Sequence, residues 1–147
     1  MLKQDEANHL LKIEKHFMNS DSIKMPIQGE RITLPLQDDA KRLHFLLDVS
    51  RRGSFSLQKY TLNDRFRISI VLARVDINPP PHENPDGVKI EGDHIHLFRE
   101  GFADKWAIKL CDFDTYDFCS CNNIIEYFQA FCGFLNIKNL PDIQDVI

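Results

Sequence analysis

The densest chemistry in the sequence is the run Gly92, Asp93, His94, Ile95, His96, Leu97, Phe98, Arg99. Side chains on a strand alternate between faces, so Ile95 and Leu97 share one face while His94 and His96 project together from the other. Imidazole titrates near neutral pH, so two of them side by side can exchange protons or hold a metal ion. The same parity places His44, then Ser54, Ser56, Gln58 and Tyr60, then Arg65, Arg67 and Ser69 opposite the apolar residues of their own segments. A polar sheet face of this kind has the parts for cleaving RNA. One imidazole takes the 2′-hydroxyl proton, an acid protonates the leaving oxygen, and cations stabilise the charge on phosphorus. On this reading His94 and His96 are the catalytic pair and Arg65, Arg67 and Arg99 bind phosphate. His82, Asp86, Asp93 and Tyr60 stand in secondary roles on the adjoining loop and strands.

Two other readings of the histidine pair compete with this one. In the first, both are strand residues bonded to Asp93, Glu100 or a backbone carbonyl, with no chemistry. In the second they chelate a metal, with His82, His44 or Asp86 as the third ligand. Neither His82, on a Pro-rich loop, nor His44, on a strand whose adjacency the sequence does not establish, is a compelling third ligand. The expectation is therefore a protein that needs no metal and no other cofactor. His9 and His16 read as solvated helix residues, and Trp106 as a core or rim aromatic.

The elements that would position these groups follow from hydropathy patterning. Residues 3–18 carry Leu10, Ile13 and Phe17 at helical spacing and read as a first helix, broken by Asn19, Ser20, Asp21 and Ser22. From Glu30 the pattern alternates: Ile32, Leu34 and Leu36, a turn at 37–39, then Leu43, Phe45, Leu47 and Val49. A turn at Arg51, Arg52, Gly53 leads to Phe55 and Leu57, and a second turn at Asn63 and Asp64 leads to Phe66, Ile68 and Ile70. Residues 78–87 form a Pro-rich loop, followed by strands near 88–99 and 106–110. Ile124, Ile125, Phe128, Phe131, Cys132 and Leu135 make a wide apolar stripe on a closing helix, with Ser120 or Asn122 as its N-cap. The expected fold is α+β: one domain over residues 1–147, with a mainly antiparallel sheet of five or six strands between an N-terminal and a C-terminal helix.

Composition narrows the classes. A chain of 147 residues with 43% hydrophobic and 27% charged residues is an ordinary globular composition rather than a disordered or fibrous one. Its apolar runs are far shorter than the roughly 20 residues that cross a bilayer, so no membrane association is expected. The charged N-terminal segment lacks the apolar stretch of a signal peptide, which points to the cytoplasm. The net charge of −4 is unevenly spread. Residues 41–74 hold eight basic against two acidic side chains, whereas residues 110–147 hold one basic against six acidic. A basic zone in an acidic protein suits RNA; the alternative is a binding or regulatory module without catalysis, in which the polar face and loop 78–87 dock a cognate protein partner and the acidic C-terminal segment suits a basic one. Cys111, Cys119, Cys121 and Cys132 match neither zinc-knuckle nor redox spacing and read as reduced, buried hydrophobes.

The order Pro81-His82-Glu83-Asn84-Pro85-Asp86-Gly87, Gly92-Asp93-His94-Ile95-His96, Arg99-Glu100-Gly101 and Asp104-Lys105-Trp106-Ala107 resembles an uncharacterised family of small bacterial and phage proteins, over about Leu34 to Leu110. That resemblance implies kinship without an activity. The five residues Gly92 to His96 are also similar to the Gly-Asp-His-x-His signature of TumE-type toxins of bacterial toxin–antitoxin pairs. This second likeness implies a toxin-like role resting on Asp93, His94 and His96.

Overall fold

The computed structural model describes residues 1–19, 21–54 and 57–145. Helix α1 (Gln4–Lys12) is followed by strands β1 (Lys15–Phe17), β2 (Ile23–Lys24), β3 (Arg31–Asp38), β4 (His44–Gly53), β5 (Gln58–Phe66) and β6 (Ile70–Ile77). Then come β7 (His82–Glu83), β8 (Lys89–Ile90), β9 (His94–Leu97), β10 (Ala107–Lys109), helix α2 (Ile124–Phe134) and β11 (Ile143–Gln144). Seven strands form one sheet in the order β1-β3-β4-β5-β6-β9-β10, with every neighbouring pair antiparallel. The α+β class with a helix towards each end is as expected, and the sheet is one or two strands larger.

Three of the differences are local. The first helix stops at Lys12, because Ile13 turns extended and Lys15–Phe17 pair with Leu36–Asp38 of β3. Ile13 and Phe17 satisfy a helical spacing, yet the ladder with β3 takes their segment. Asn63 and Asp64 make no turn: β5 runs straight through them, and the chain reverses at Arg67 and Ile68, both with positive φ. Likewise β4 continues through Arg51, Arg52 and Gly53, so the reversal comes after Gly53, whose φ of +93° and contact with Leu57 O leave no room for a Cβ. Phe55 and Ser56 of that expected hairpin, and Ser20 of the expected helix break, lie outside the described residues.

One face of the sheet is apolar. Phe45, Leu47 and Val49 of β4, Leu62 and Phe66 of β5, Ala73, Val75 and Ile77 of β6 and Ile95 of β9 are all buried in one cluster with Ile124, Phe128 and Phe131 of α2. The helix starts on Asn123, whose side chain accepts from Glu126 N, so the N-cap is neither Ser120 nor Asn122. Ring contacts carry the helix onto the sheet, Phe128 against Phe17 and Tyr127 against Tyr60. The apolar face also buries ionisable groups: Lys15 and Asp64 are fully buried, and Arg51, on the same side of β4, pairs with Asp145. The Lys15 ammonium donates to Leu11 O, Ile13 O and Leu135 O at 3.1, 3.2 and 2.7 Å, which uses all three of its protons.

Two of the four cysteines depart from expectation. Cys111 and Cys119 are joined by a disulfide, and the free thiols are Cys121 and the buried Cys132. Among the described residues no helix is long and apolar enough to cross a membrane.

Candidate functional site

The antiparallel register lays polar side chains across the opposite face in two neighbouring rows. Thr33, Asp48, Asn63, Arg74 and His96 face one another across β3, β4, β5, β6 and β9. Arg31, Ser50, Thr61, Asp76 and His94 form the next row. Cross-strand pairing therefore sets Arg74 opposite His96 and Asp76 opposite His94.

His94 and His96 do lie opposite Ile95, but both are almost fully buried, at 2% and 1% exposure. The loop after β6 and the segment after β9 close over them. His82 packs edge-on to His96 with ring centroids 4.6 Å apart, and the His94 and His96 rings are 4.8 Å apart. Each buried imidazole is fixed from behind by a main-chain carbonyl. His94 Nδ1 lies 3.0 Å from Gly92 O, and His96 Nδ1 lies 2.8 Å from Asp104 O. A carbonyl only accepts, so both Nδ1 atoms carry their protons. The two Nε2 atoms then converge on one oxygen: each is 3.2 Å from Asp76 Oδ2.

Arg74 completes the cluster. Its Nη2 donates to His96 Nε2 at 3.1 Å, its Nε to Asp76 Oδ2 at 3.3 Å and its Nη1 to Asp104 Oδ2 at 3.0 Å. Thr61 Oγ1 donates to the other Asp76 oxygen at 3.1 Å. Burial would raise the Asp76 pKa, but the bonds to His94 and His96 and the Arg74 charge outweigh it and hold the carboxyl well below the usual range.

The segment 104–107 is the scaffold for this arrangement. Asp104 O holds His96, and Lys105 O receives His82 Nε2 at 2.7 Å. The buried Asn84 amide clamps the Pro-rich loop to β10, accepting from Ala107 N at 2.8 Å and donating to Ala107 O at 3.0 Å. Over the histidines opens a cleft of about 470 Å³, lined by Pro79–Pro81, Arg52, Lys59, Arg74 and Asp76 among others.

Several expected site residues lie elsewhere. Arg65 is spent on Asp48, with bonds of 2.6 and 2.9 Å to its two oxygens. Burial would raise the Asp48 pKa, yet hydrogen bonds from Arg65, Thr33 and Asn63 bring it below the usual range. Arg67 sits in the β5–β6 turn over the Phe66 ring, and Arg99 lies over Trp106, 4.2 Å from its ring centroid. The guanidinium beside the histidines is thus Arg74, which the sequence reading left out. Tyr60 is among the residues lining the cleft, but its ring packs against Tyr127 of the apolar face, because β5 does not turn at 63–64 and its parity is the reverse of that expected. Asp86 is exposed in the loop turn and accepts from Val88 N, while Asp93 accepts from Asn78 N at the start of the loop. His44 is exposed at the first residue of β4, three strands from β9. The third group facing the histidine pair is Asp76, so the expectation of no metal loses its premise, which was a missing third ligand. The signal for Arg74 and Asp76 was present as two charged residues alternating with Ala73, Val75 and Ile77.

Comparison with curated proteins and with solved structures finds no match. A match to a family model runs over residues 2–137, nearly the whole chain, and thus spans both polar rows, the Pro-rich loop and α2. The chain belongs to that family, the family of unknown function DUF6978.

Proposed function

We propose that the cleft over His94 and His96 takes the phosphates of RNA, and that the protein is a nucleic-acid-directed one of toxin or defence type. The observation that carries this reading is the balance of charge around the cleft. Arg52, Lys59 and Arg74 line it together with His82, His94 and His96, against the single carboxylate of Asp76. Arg74 is already paired with Asp76 and Asp104. Arg52 and Lys59 face each other across β4 and β5, and among the described residues neither has an ion-pair partner. Cations left unpaired beside a cleft gain most from a polyanion, through release of its condensed counterions. His82, the most accessible of the three imidazoles, and the buried pair behind it supply groups for proton transfer at a phosphodiester.

A second reading keeps the fold but not the catalysis, as a module that binds a protein partner. It is favoured by a separate groove of about 400 Å³ along Leu2, Ile70, Val71, Phe98 and Phe102, beside the exposed Ile68. One set of measurements separates the two. Fluorescence anisotropy with a labelled single-stranded RNA should show binding that weakens steeply with salt. Substituting Arg52 and Lys59 by Ala should lower the slope of log K against log salt by about one per side chain. RNA integrity and growth on expression of wild type and of His94→Ala/His96→Ala then report on cleavage. Absence of salt-dependent RNA binding leaves the protein-binding reading.

A further inference from the structure

The Asp76, His94 and His96 cluster gathers three atoms of the ligating type. The Nδ1 sides of both imidazoles are taken up by Gly92 O and Asp104 O, which leaves the two Nε2 atoms facing inward. Each Nε2 lies 3.2 Å from the same carboxylate oxygen, Asp76 Oδ2. Arg74 Nη2 lies 3.1 Å from His96 Nε2 and Arg74 Nε 3.3 Å from Asp76 Oδ2, so a cationic group already sits against the cluster. Two imidazole nitrogens and a carboxylate oxygen this close together, beside a positive charge, are a donor set that suits a cation.

We propose that Asp76, His94 and His96 form a binding site for one first-row divalent transition-metal ion, of the zinc class. Their ligating atoms lie within 4.8 Å of one another. Two imidazoles with one carboxylate favour zinc, manganese, iron or nickel over magnesium or calcium, which prefer all-oxygen sites. The surroundings are those of metal-ligating histidines. Each other ring nitrogen donates to a carbonyl that fixes tautomer and ring orientation, and Thr61 holds the second oxygen of Asp76. Three protein ligands leave further coordination positions for water or a ligand in the cleft that all three residues line. Arg74 occupies the cation's neighbourhood and must swing away, towards Asp104, when the ion enters. The inference concerns the same cleft as the RNA reading but does not need RNA to bind there.

The test uses the full chain, stripped with a chelator and exchanged into metal-free buffer. Zinc chloride is titrated by calorimetry, and cobalt chloride by the visible ligand-field absorption that imidazole and carboxylate ligands produce. The expected result is about one ion per chain with a dissociation constant in the micromolar range or below. Asp76→Asn, His94→Ala and His96→Ala should each weaken binding by about tenfold or more. Arg74→Ala should bind as tightly as wild type or more tightly, an outcome that loss of structure would not produce. His16→Ala, which breaks the exposed group of Glu14, His16 and Asp39, should bind like wild type. Thermal unfolding of each metal-free variant identifies any that do not fold, and Asp76→Asn preserves the shape of the site. Absence of saturable binding of zinc, cobalt and manganese, or binding unchanged in the folded Asp76→Asn protein, would overturn the proposal. RNA binding measured with and without chelator keeps the two readings apart: ion binding without RNA binding sinks only the RNA reading, and the reverse sinks only this one.

Discussion

Arg74 and His96 are cross-strand partners, and the guanidinium reaches over the ladder to donate to the imidazole Nε2 at 3.1 Å. The same guanidinium ties Asp76 to Asp104, so one side chain links β6, β9 and the scaffold segment after β9. Arg74→Ala should lower stability by about 1–2 kcal/mol, since partly buried, charge-assisted bonds are lost on three sides. Urea unfolding in the presence of chelator measures this. A midpoint unchanged from wild type would mean that the network does not hold the strands.

Asn84 acts on the loop as an added ladder pair acts on a strand, exchanging two bonds with the main chain of Ala107. Asn84→Ala leaves a buried N–H and a buried C=O without partners, at about 2–4 kcal/mol in total. Hydrogen exchange should then speed up across residues 78–90 while the core strands stay protected. Uniform acceleration over the whole sheet would show instead that the loop and the core open together.

Asp64 predicts the pH dependence of stability. Burial pushes its carboxyl up to about 7, with the Lys15 charge pulling partly the other way. Among the described residues neither carboxyl oxygen has a hydrogen-bond partner. Between the ordinary carboxylate range and about pH 7, the folded chain retains a proton that the unfolded chain has released. The contribution of Asp64 is therefore complete below the unfolded pKa and declines as pH rises towards 7. Asp48 and Asp76, held low, act oppositely and lose their contribution on acidification. Comparing wild type with Asp64→Asn removes that carboxyl and with it the charge that partly offsets the burial of Lys15, whose ammonium is lowered by burial to about 8. From pH 5 to pH 8 the stability difference should move in favour of Asn by about 1 kcal/mol or more. Parallel pH profiles would refute the assignment.

The disulfide makes a prediction about thiol number. Denatured protein kept from reductant should show the two free thiols Cys121 and Cys132, and four after reduction. The bridge closes a short loop, so its reduction should cost about 2 kcal/mol of stability. Four reactive thiols before reduction would mean that Cys111 and Cys119 are not joined.

What the sequence determined by itself is the local and periodic part. Strands β3, β4 and β10 and helix α2 were legible because a half-buried strand must alternate and a helix on a sheet must carry a stripe. The shared face of His94 and His96 followed from parity within one strand and needed no partner. Tertiary structure decided everything that depends on which strand meets which. Ile13 and Phe17 satisfy a helix period, but only the ladder to β3 makes Lys15–Phe17 a strand. Asn63 and Asp64 are ordinary turn residues, yet β4 and β6 on either side keep them extended, and that alone reverses the parity of Tyr60. Arg65, Arg67 and Arg99 are as basic as Arg74. Register, which is set by pairing across β5, β6 and β9, puts Arg74 and Asp76 against the histidines and the other three elsewhere. Burial of the pair came from further away still, through Asn84 and the carbonyls of Asp104 and Lys105. A sequence carries the alternation of each strand, whereas a site assembled from neighbouring strands and a returning loop exists only once their register is fixed.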